Sequence, residues 1–316
     1  MDLYEFFTAK LEYAPEAINE DKELAKHVQK VLIWFKLLDP PDDGKFYTIS
    51  TAALLEFQRL MGLDNSDTGE PGFLGPKTAK LLIETSPDDP RLKPQVDLDA
   101  LDNSLASRII KYMSLKKYFI ALRPKQYNIV YLEGMNTDGT LNQDLPDEFN
   151  DLRSVIEFVG GKAQFIGRWE ATTEPGRWYT NNPISAYARK RGAARIEFGQ
   201  YKAWQVGRHG NAEPHEALVQ RGTITVCRDL NKDMIRTGDR RDTNNNFAIN
   251  QHYGYDYPRK SIRKASAGCL VGRTRQGHKD FMAIIKQDRR YQKNHNYLFY
   301  TTIVPADDLE RIFPSA

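Results

Sequence analysis

Apolar side chains recur at helical spacing between about residues 22 and 85. Between Glu23 and Leu38, the residues Leu24, Val28, Val31, Leu32 and Phe35 return every three or four positions, and Asp39-Pro40-Pro41 ends the run. After a turn at Asp42-Asp43-Gly44, Ser50 or Thr51 can cap a second helix whose apolar face is Leu54, Leu55, Phe57 and Leu60, closing at Gly62. A third helix is expected from Pro76, a residue suited to a first turn, and carries Thr78, Leu81 and Leu82. Each is too short to be stable alone, so the three must hold one another by packing.

The pattern changes after residue 85. Residues 86–105 are rich in Pro and Asp without sustained periodicity, as a linker is. A helix over 106–122 is expected next, then a buried strand in YNIVYLEG. The spacing predicts helices over 146–159 and 184–191, a strand over 163–170, and strands in QYKAWQVG and ALVQRGTITVCRD. FAINQHYG reads as a short strand, HKDFMAIIKQ as an amphipathic helix and NYLFYTTIVP as a closing strand. The fold class is therefore α+β: a small three-helix module (1–88), a linker (89–105) and a strand-rich mixed α/β domain (106–316).

Charge sharpens this division. The net charge of +3 hides 11 Lys and Arg against 19 Asp and Glu in residues 1–100, and 34 against 23 in residues 101–316. A basic second part suits a polyanionic partner, without choosing among cell wall, nucleic acid and anionic lipid. No nucleic-acid-binding module is recognisable, and no apolar run is long enough to span a membrane. The two cysteines, Cys227 and Cys269, form neither a disulfide framework nor a metal site. Asp229-Leu-Asn231-Lys-Asp233, with Asp239 beyond, imitates the opening of a calcium loop. Met234 stands where that loop needs glycine and Arg240 where it needs glutamate, so a turn is expected there, with no metal and no cofactor.

The chemistry concentrates in INQHYGYDYPRKSIRKASAGCLVG, residues 249–272. A cysteine acts as a nucleophile through its thiolate, so it needs a base and an accessible turn. Ser266-Ala267-Gly268-Cys269 lets the backbone turn sharply, and the amides of Gly268 and Cys269 are natural oxyanion donors. His252 ends an apolar strand, from which its imidazole can reach the cysteine loop. His278 is the alternative base; His209 and His215 are weaker candidates. Arg259, Lys260, Arg263 and Lys264 form a basic cluster between the pair.

Two resemblances attach a function to these residues. The stretch holding Phe57, Gln58, Gly62, Leu63, Gly72, Gly75, Pro76, Thr78, Leu81 and Leu82 resembles the three-helix peptidoglycan-binding domain, with a longer loop from Asp64 to Glu70. That resemblance implies a wall-attachment module, with Phe57 and Gln58 among its binding residues. His252 and Cys269, separated by 16 residues, with Ser266 and Gly268 before the cysteine, resemble the YkuD-type L,D-transpeptidases. The resemblance implies Cys269 as nucleophile, His252 as base, and the Tyr253 carbonyl as its orienting group. Ser266, Arg273 and Arg263 are then substrate contacts. Ala267 replaces the family's second histidine and Val271 its usual polar residue, and Arg273 is a substitute cation.

The Ser-Ala-Gly-Cys form is similar to that of endolysin-like wall hydrolases. The expected function is thus a monomeric cysteine peptidase cleaving the peptidoglycan stem peptide at an L,D centre. It would be cytoplasmic at synthesis and act on the wall after release or export. The alternatives are an L,D-transpeptidase using the same acyl-enzyme, and a non-catalytic wall-binding protein.

Overall fold

The computed structural model describes residues 1–94 and 96–315, which divide into two compact units, Met1–Val96 and Asp97–Ala316. The division falls inside the Pro- and Asp-rich stretch.

The first unit contains five helices among its described residues rather than three: α1 (Leu3–Thr8), α2 (Pro15–Glu20), α3 (Lys22–Trp34), α4 (Thr48–Leu60) and α5 (Pro76–Glu84). The short α1 is fixed by a capping box between Asp2 and Glu5 and buries Leu3 and Phe6. Helix α3 stops four residues before Leu38. Lys36 adopts a positive φ of 57°, and the Leu37 amide reaches back to the Leu32 carbonyl at 2.9 Å, a C-terminal cap that precedes the proline pair. Helix α4 starts at Thr48 without a side-chain cap, so neither Ser50 nor Thr51 caps it. Ser50 is buried instead and receives a hydrogen bond from Gln29 Nε2 at 3.1 Å. Phe6, Leu24, Val28, Leu32, Phe57 and Leu82 belong to the common core.

The second unit is built on a closed barrel of eight strands. In chain order its elements are α6 (Leu105–Leu115), β1 (Asn128–Glu133), β2 (Asp151–Val159), β3 (Lys162–Thr172), α7 (Arg177–Asn181), α8 (Ala186–Arg191), β4 (Ala193–Ile196) and β5 (Gly199–His209). They continue with β6 (His215–Gln220), β7 (Ile224–Asp229), β8 (Arg240–Asn244), β9 (Gln251–Tyr253), β10 (Leu270–Gly272), α9 (Arg275–Ile285), α10 (Arg289–Lys293), β11 (Phe299–Pro305) and α11 (Ala306–Ile312). Around the barrel the order is β1-β11-β5-β6-β9-β10-β3-β2, and β4, β7 and β8 form a separate three-stranded sheet. The chain is thus α+β.

Residues 151–159 are a strand, not the C-terminal part of the helix expected over 146–159. Val155, Ile156, Phe158 and Val159 favour the pleated surface, and Val159 pairs with Lys162 across Gly160-Gly161. Both glycines have positive φ, 56° and 79°, as a two-residue hairpin turn of this twist requires. That turn fixes the register of β2 on β3.

Two further features position the site. The short strands β9 and β10 pair in parallel, His252 opposite Val271 and Gln251 opposite Leu270. Gln251 is fully buried, donating to Thr301 Oγ1 at 2.8 Å and accepting from the Tyr131 hydroxyl at 3.3 Å. Alternation along the strand turns its neighbours Asn250 and His252 to the opposite face. Trp204 Nε1 donates to the Ile249 carbonyl at 2.8 Å and holds the approach to β9 in place.

Candidate active site

Cys269 immediately precedes β10 and His252 lies at the centre of β9, and both line one cleft of about 950 Å³. The cysteine is half-buried and free. Its Sγ accepts from the Asn250 amide at 3.4 Å and lies 3.6 Å from the Ala248 carbonyl. Burial pushes the thiol up to about 11, outweighing the stabilisation of a thiolate by the Asn250 amide. Below it, Val271 packs with Phe149, Ile262 and Ala265.

His252 is buried, and its Nδ1 lies 2.8 Å from the Tyr253 carbonyl. A carbonyl only accepts, so Nδ1 carries the proton and Nε2 keeps its lone pair, the form a general base needs. Desolvation first, then the neighbouring His209, holds this imidazole well below its usual range. Thiol and imidazole therefore each rest neutral.

The cleft brings in residues that the sequence left in second place. His209 stacks on His252 with ring centroids 3.9 Å apart and planes at 12°. Asn250 Oδ1 accepts from the Gln220 amide at 2.9 Å, which makes Nδ2 the donor to His209 Nδ1 at 2.9 Å. His209 thus carries its proton on Nε2, and burial lowers it to about 4. The stacked pair presents one ring with a basic Nε2 and one with an Nε2–H donor. His209 and His215 are register partners at the turn end of the β5–β6 hairpin, and His215 stacks on Tyr253 at 3.6 Å. The available signal was the segment RHGNAEPHE, two strand-end histidines around a turn. Glu213 from that turn accepts from the Tyr253 hydroxyl at 2.7 Å and pairs with Arg275 at 2.8 Å, which ties the hairpin to α9.

Other expected contacts are occupied elsewhere. His278 is buried with both nitrogens engaged, Nε2 on the Glu216 carbonyl at 2.9 Å and Nδ1 with Arg153 at 3.2 Å, so it cannot serve as the base. Ser266 is fully buried; its hydroxyl donates to the Cys269 carbonyl at 2.8 Å and accepts from the Gly268 amide at 3.1 Å. It shapes the cysteine turn, and it takes the Gly268 amide away from the oxyanion role. The Cys269 amide makes no hydrogen bond to any described residue and stays available. Gly268 is needed for its backbone: φ is +126°, and a Cβ there would meet the Ala194 carbonyl oxygen at 2.3 Å.

Arg273 is ion-paired to Glu170, and Arg263 lies over Tyr257 in a separate groove with Trp178 and Asp147. The cations that do line the cleft are Arg208, Arg228 and Lys264, and no carboxylate does so among the described residues. Lys264 is held over the Trp178 ring at 4.3 Å.

In the first unit, Phe57 and Gln58 are fully buried and present no atom to a ligand. Gln58 Nε2 donates to the Phe73 carbonyl at 2.8 Å and Thr78 Oγ1 at 3.0 Å, and its Oε1 accepts from the Gly72 amide at 2.9 Å. The longer loop has its own task. Glu70 accepts from the Lys77 and Thr78 amides at 2.9 and 2.7 Å, capping α5 where Pro76 begins it.

No family model matches the chain, and no curated protein matches it. Two solved structures are distant likenesses. One is a fused Zn-dependent amidase/peptidase/peptidoglycan-binding domain-containing protein from Clostridium acetobutylicum, 11% identical over 93% of this chain and 99% of that one, with a TM-score of 0.28. The other is an L,D-transpeptidase from Xylanimonas cellulosilytica, 13% identical over 88% of this chain and 92% of that one, with a TM-score of 0.23.

Proposed function

We propose that this chain is a cysteine peptidase of the peptidoglycan stem peptide, reaching the wall after release or export, with its first unit as the wall anchor. The observation that carries this reading is the shared cleft: a half-buried free thiol and an imidazole whose Nδ1 is fixed on a carbonyl, delivered by paired strands. Cys269 Sγ attacks the carbonyl carbon at the L,D centre as its proton passes to His252 Nε2. The Cys269 amide faces the developing oxyanion. The imidazolium returns the proton to the leaving amine, the C–N bond breaks, and a thioester remains. Water, deprotonated by His252, then releases the acid and the free thiol. A neutral resting pair suits this general-base route, because no stable ion pair must first be undone. Arg208 and Lys264 offer the cleft's positive field to the free carboxylates of a stem peptide, Arg228 being paired with Asp242 at 3.1 Å.

Incubating the purified protein with isolated sacculi and weighing the released muropeptides tests the assignment. New ends at an L-to-D bond, absent with Cys269→Ser, are expected. Mass gains that correspond to amine exchange would assign the acyl-enzyme to transpeptidation instead. An unchanged muropeptide profile would leave wall binding without catalysis.

A further inference from the structure

We infer that the second unit holds a calcium ion between Glu133, Asp144 and Glu174. This goes beyond the cysteine chemistry and does not depend on it. Glu133 ends β1, Asp144 lies on the connection from β1 to β2, and Glu174 follows β3 by two residues. One carboxylate oxygen from each lies within 4.8 Å of the others. Two oxygens on opposite sides of a calcium ion, each at about 2.4 Å, are separated by about that distance.

Charge argues for a cation. Asp151 is buried in the same group, tied to it through Thr173, whose hydroxyl bridges Glu133 and Asp151. Four carboxylates therefore face two guanidiniums, Arg236 on Glu133 and Arg195 on Glu174. The four carboxylates crowd two guanidiniums and one shared hydroxyl proton, and a divalent ion relieves their mutual repulsion. The second observation is an unpartnered atom. Glu174 is 3% exposed; its Oε1 takes Arg195 at 2.5 Å, while its buried Oε2 has no hydrogen-bond partner. A buried carboxylate oxygen left without a donor is costly, and a coordinated ion meets that need.

The donor set selects the ion. All three ligands are hard oxygens without histidine or cysteine, which disfavours zinc and copper. Magnesium demands a regular octahedron, whereas calcium accepts irregular sets of six to eight oxygens. Asp144 is exposed, which supplies an entry path and room for water ligands. The site is separate from the Asp229–Asp239 stretch, where Asp229 Oδ2 accepts from the Met234 amide and Asn231 bonds to Asp233. It also flanks the cysteine turn. Two residues past Glu174, the Gly176 amide donates to the Ser266 carbonyl at 2.9 Å, and Ala194, beside Arg195, packs on Gly268. An ion here stiffens both walls of that turn.

Calorimetric titration and thermal unfolding of the full chain, first stripped with chelator, test the inference. Calcium chloride should show one saturable site and raise the unfolding temperature by several degrees, and magnesium chloride clearly less. Asp144→Asn, a change at an exposed position, should weaken calcium binding roughly tenfold or more, in line with the loss of a charged ligand. The same variant should unfold at a higher temperature than the wild type in chelator, because one repelling charge is gone. Glu174→Gln should also lose the calcium response. No saturable heat at millimolar calcium, equal responses to both metals, or an Asp144→Asn protein with full calcium affinity would each overturn the assignment.

Discussion

The α4–α5 region of the first unit and the β9–β10 region of the second each gather polar side chains around a turn, and they use them in opposite ways. Around Gln58 the hydrogen bonds are complete: amide nitrogen and oxygen are satisfied, Glu70 is satisfied by α5, and no atom of Gln58 reaches solvent. Around Cys269 the bonding is incomplete: His252 Nε2, His209 Nε2–H and the Cys269 amide have no partner among the described residues, and all three residues line the cleft. A motif in the first region specifies its own loop, whereas one in the second leaves polar groups free for the chemistry proposed above. Satisfied polar groups mark architecture, and oriented unsatisfied ones mark a site.

The largest expected effect breaks the second region. Cys269→Ser and His252→Ala should each lower turnover at least about a thousandfold while leaving far-UV circular dichroism and unfolding temperature near those of the wild type. Serine ionises far less readily than a thiol. Without His252, the residual rate must wait for spontaneous ionisation of Cys269, so it should climb with pH toward about 11. A Cys269→Ser protein that still digests wall would end the cysteine assignment.

Next is the first region. Gln58→Leu keeps the volume but removes the Gln58 bonds to Gly72, Phe73 and Thr78, which should cost roughly 2–4 kcal/mol through the unmet carbonyls and amides. Hydrogen exchange should rise across residues 64–78, with turnover on a soluble stem peptide unchanged. If protection persists and sacculus binding alone is lost, Gln58 is a contact residue after all, and the contrast between the regions fails.

How far the residues announced this differs by element. Helices α3, α4 and α5 follow from apolar spacing, because one face of each packs on a single core, yet α1 was missed since six residues carry too few repeats to show a period. Strand β2 is ambiguous in the sequence because Leu152, Val155, Ile156 and Val159 also fall at helical spacing, and only the Gly160-Gly161 turn decides between the two. That Cys269 and His252 lie in one cleft is legible from the strand and the cysteine turn of residues 249–272. His209 is a weak candidate in the sequence because 42 residues separate it from His252, and only the β5–β6–β9 pairing closes that gap. The three carboxylates around Glu174 come from separate segments and leave no spacing to read.

An acid limb in stability should come from the histidines. His252 and His278 are buried with protonation suppressed, and His209 is lowered to about 4. The unfolded chain takes up these protons near the ordinary value of about 6.5, and the folded chain does not. Stability is therefore complete above that pH and is lost as pH falls below it toward the folded values. Urea unfolding midpoints between pH 7 and 5 should show the decline, and His209→Gln should make it shallower. The same variant should lower turnover about tenfold, because the stack that orients His252 loses one ring and its Nε2–H donor. An unchanged pH slope would mean that His209 does not resist protonation in the fold.

The smallest effect is the most specific comparison, since it sets one thiol against the other. Cys227 is buried in β7 and donates to Glu197 Oε2 at 3.2 Å, and burial pushes it up to about 11, the same value as Cys269. If ionisation alone decided reactivity, the two would behave alike. They differ in access: Cys269 opens onto the cleft that His252 also lines, whereas Cys227 is closed within a sheet beside a carboxylate that disfavours its thiolate. Cys227→Ser preserves the donor to Glu197 and should leave turnover within about twofold of the wild type. Iodoacetamide should label Cys269 first, with loss of activity tracking that adduct by peptide mass, and His252→Ala should slow the labelling. Cys227 should react only on the timescale at which its sheet opens, so urea below the unfolding midpoint should accelerate its labelling more than that of Cys269. Equal labelling rates in the native protein would show that the cleft gives Cys269 no advantage, and the thiol would then be structural in both regions.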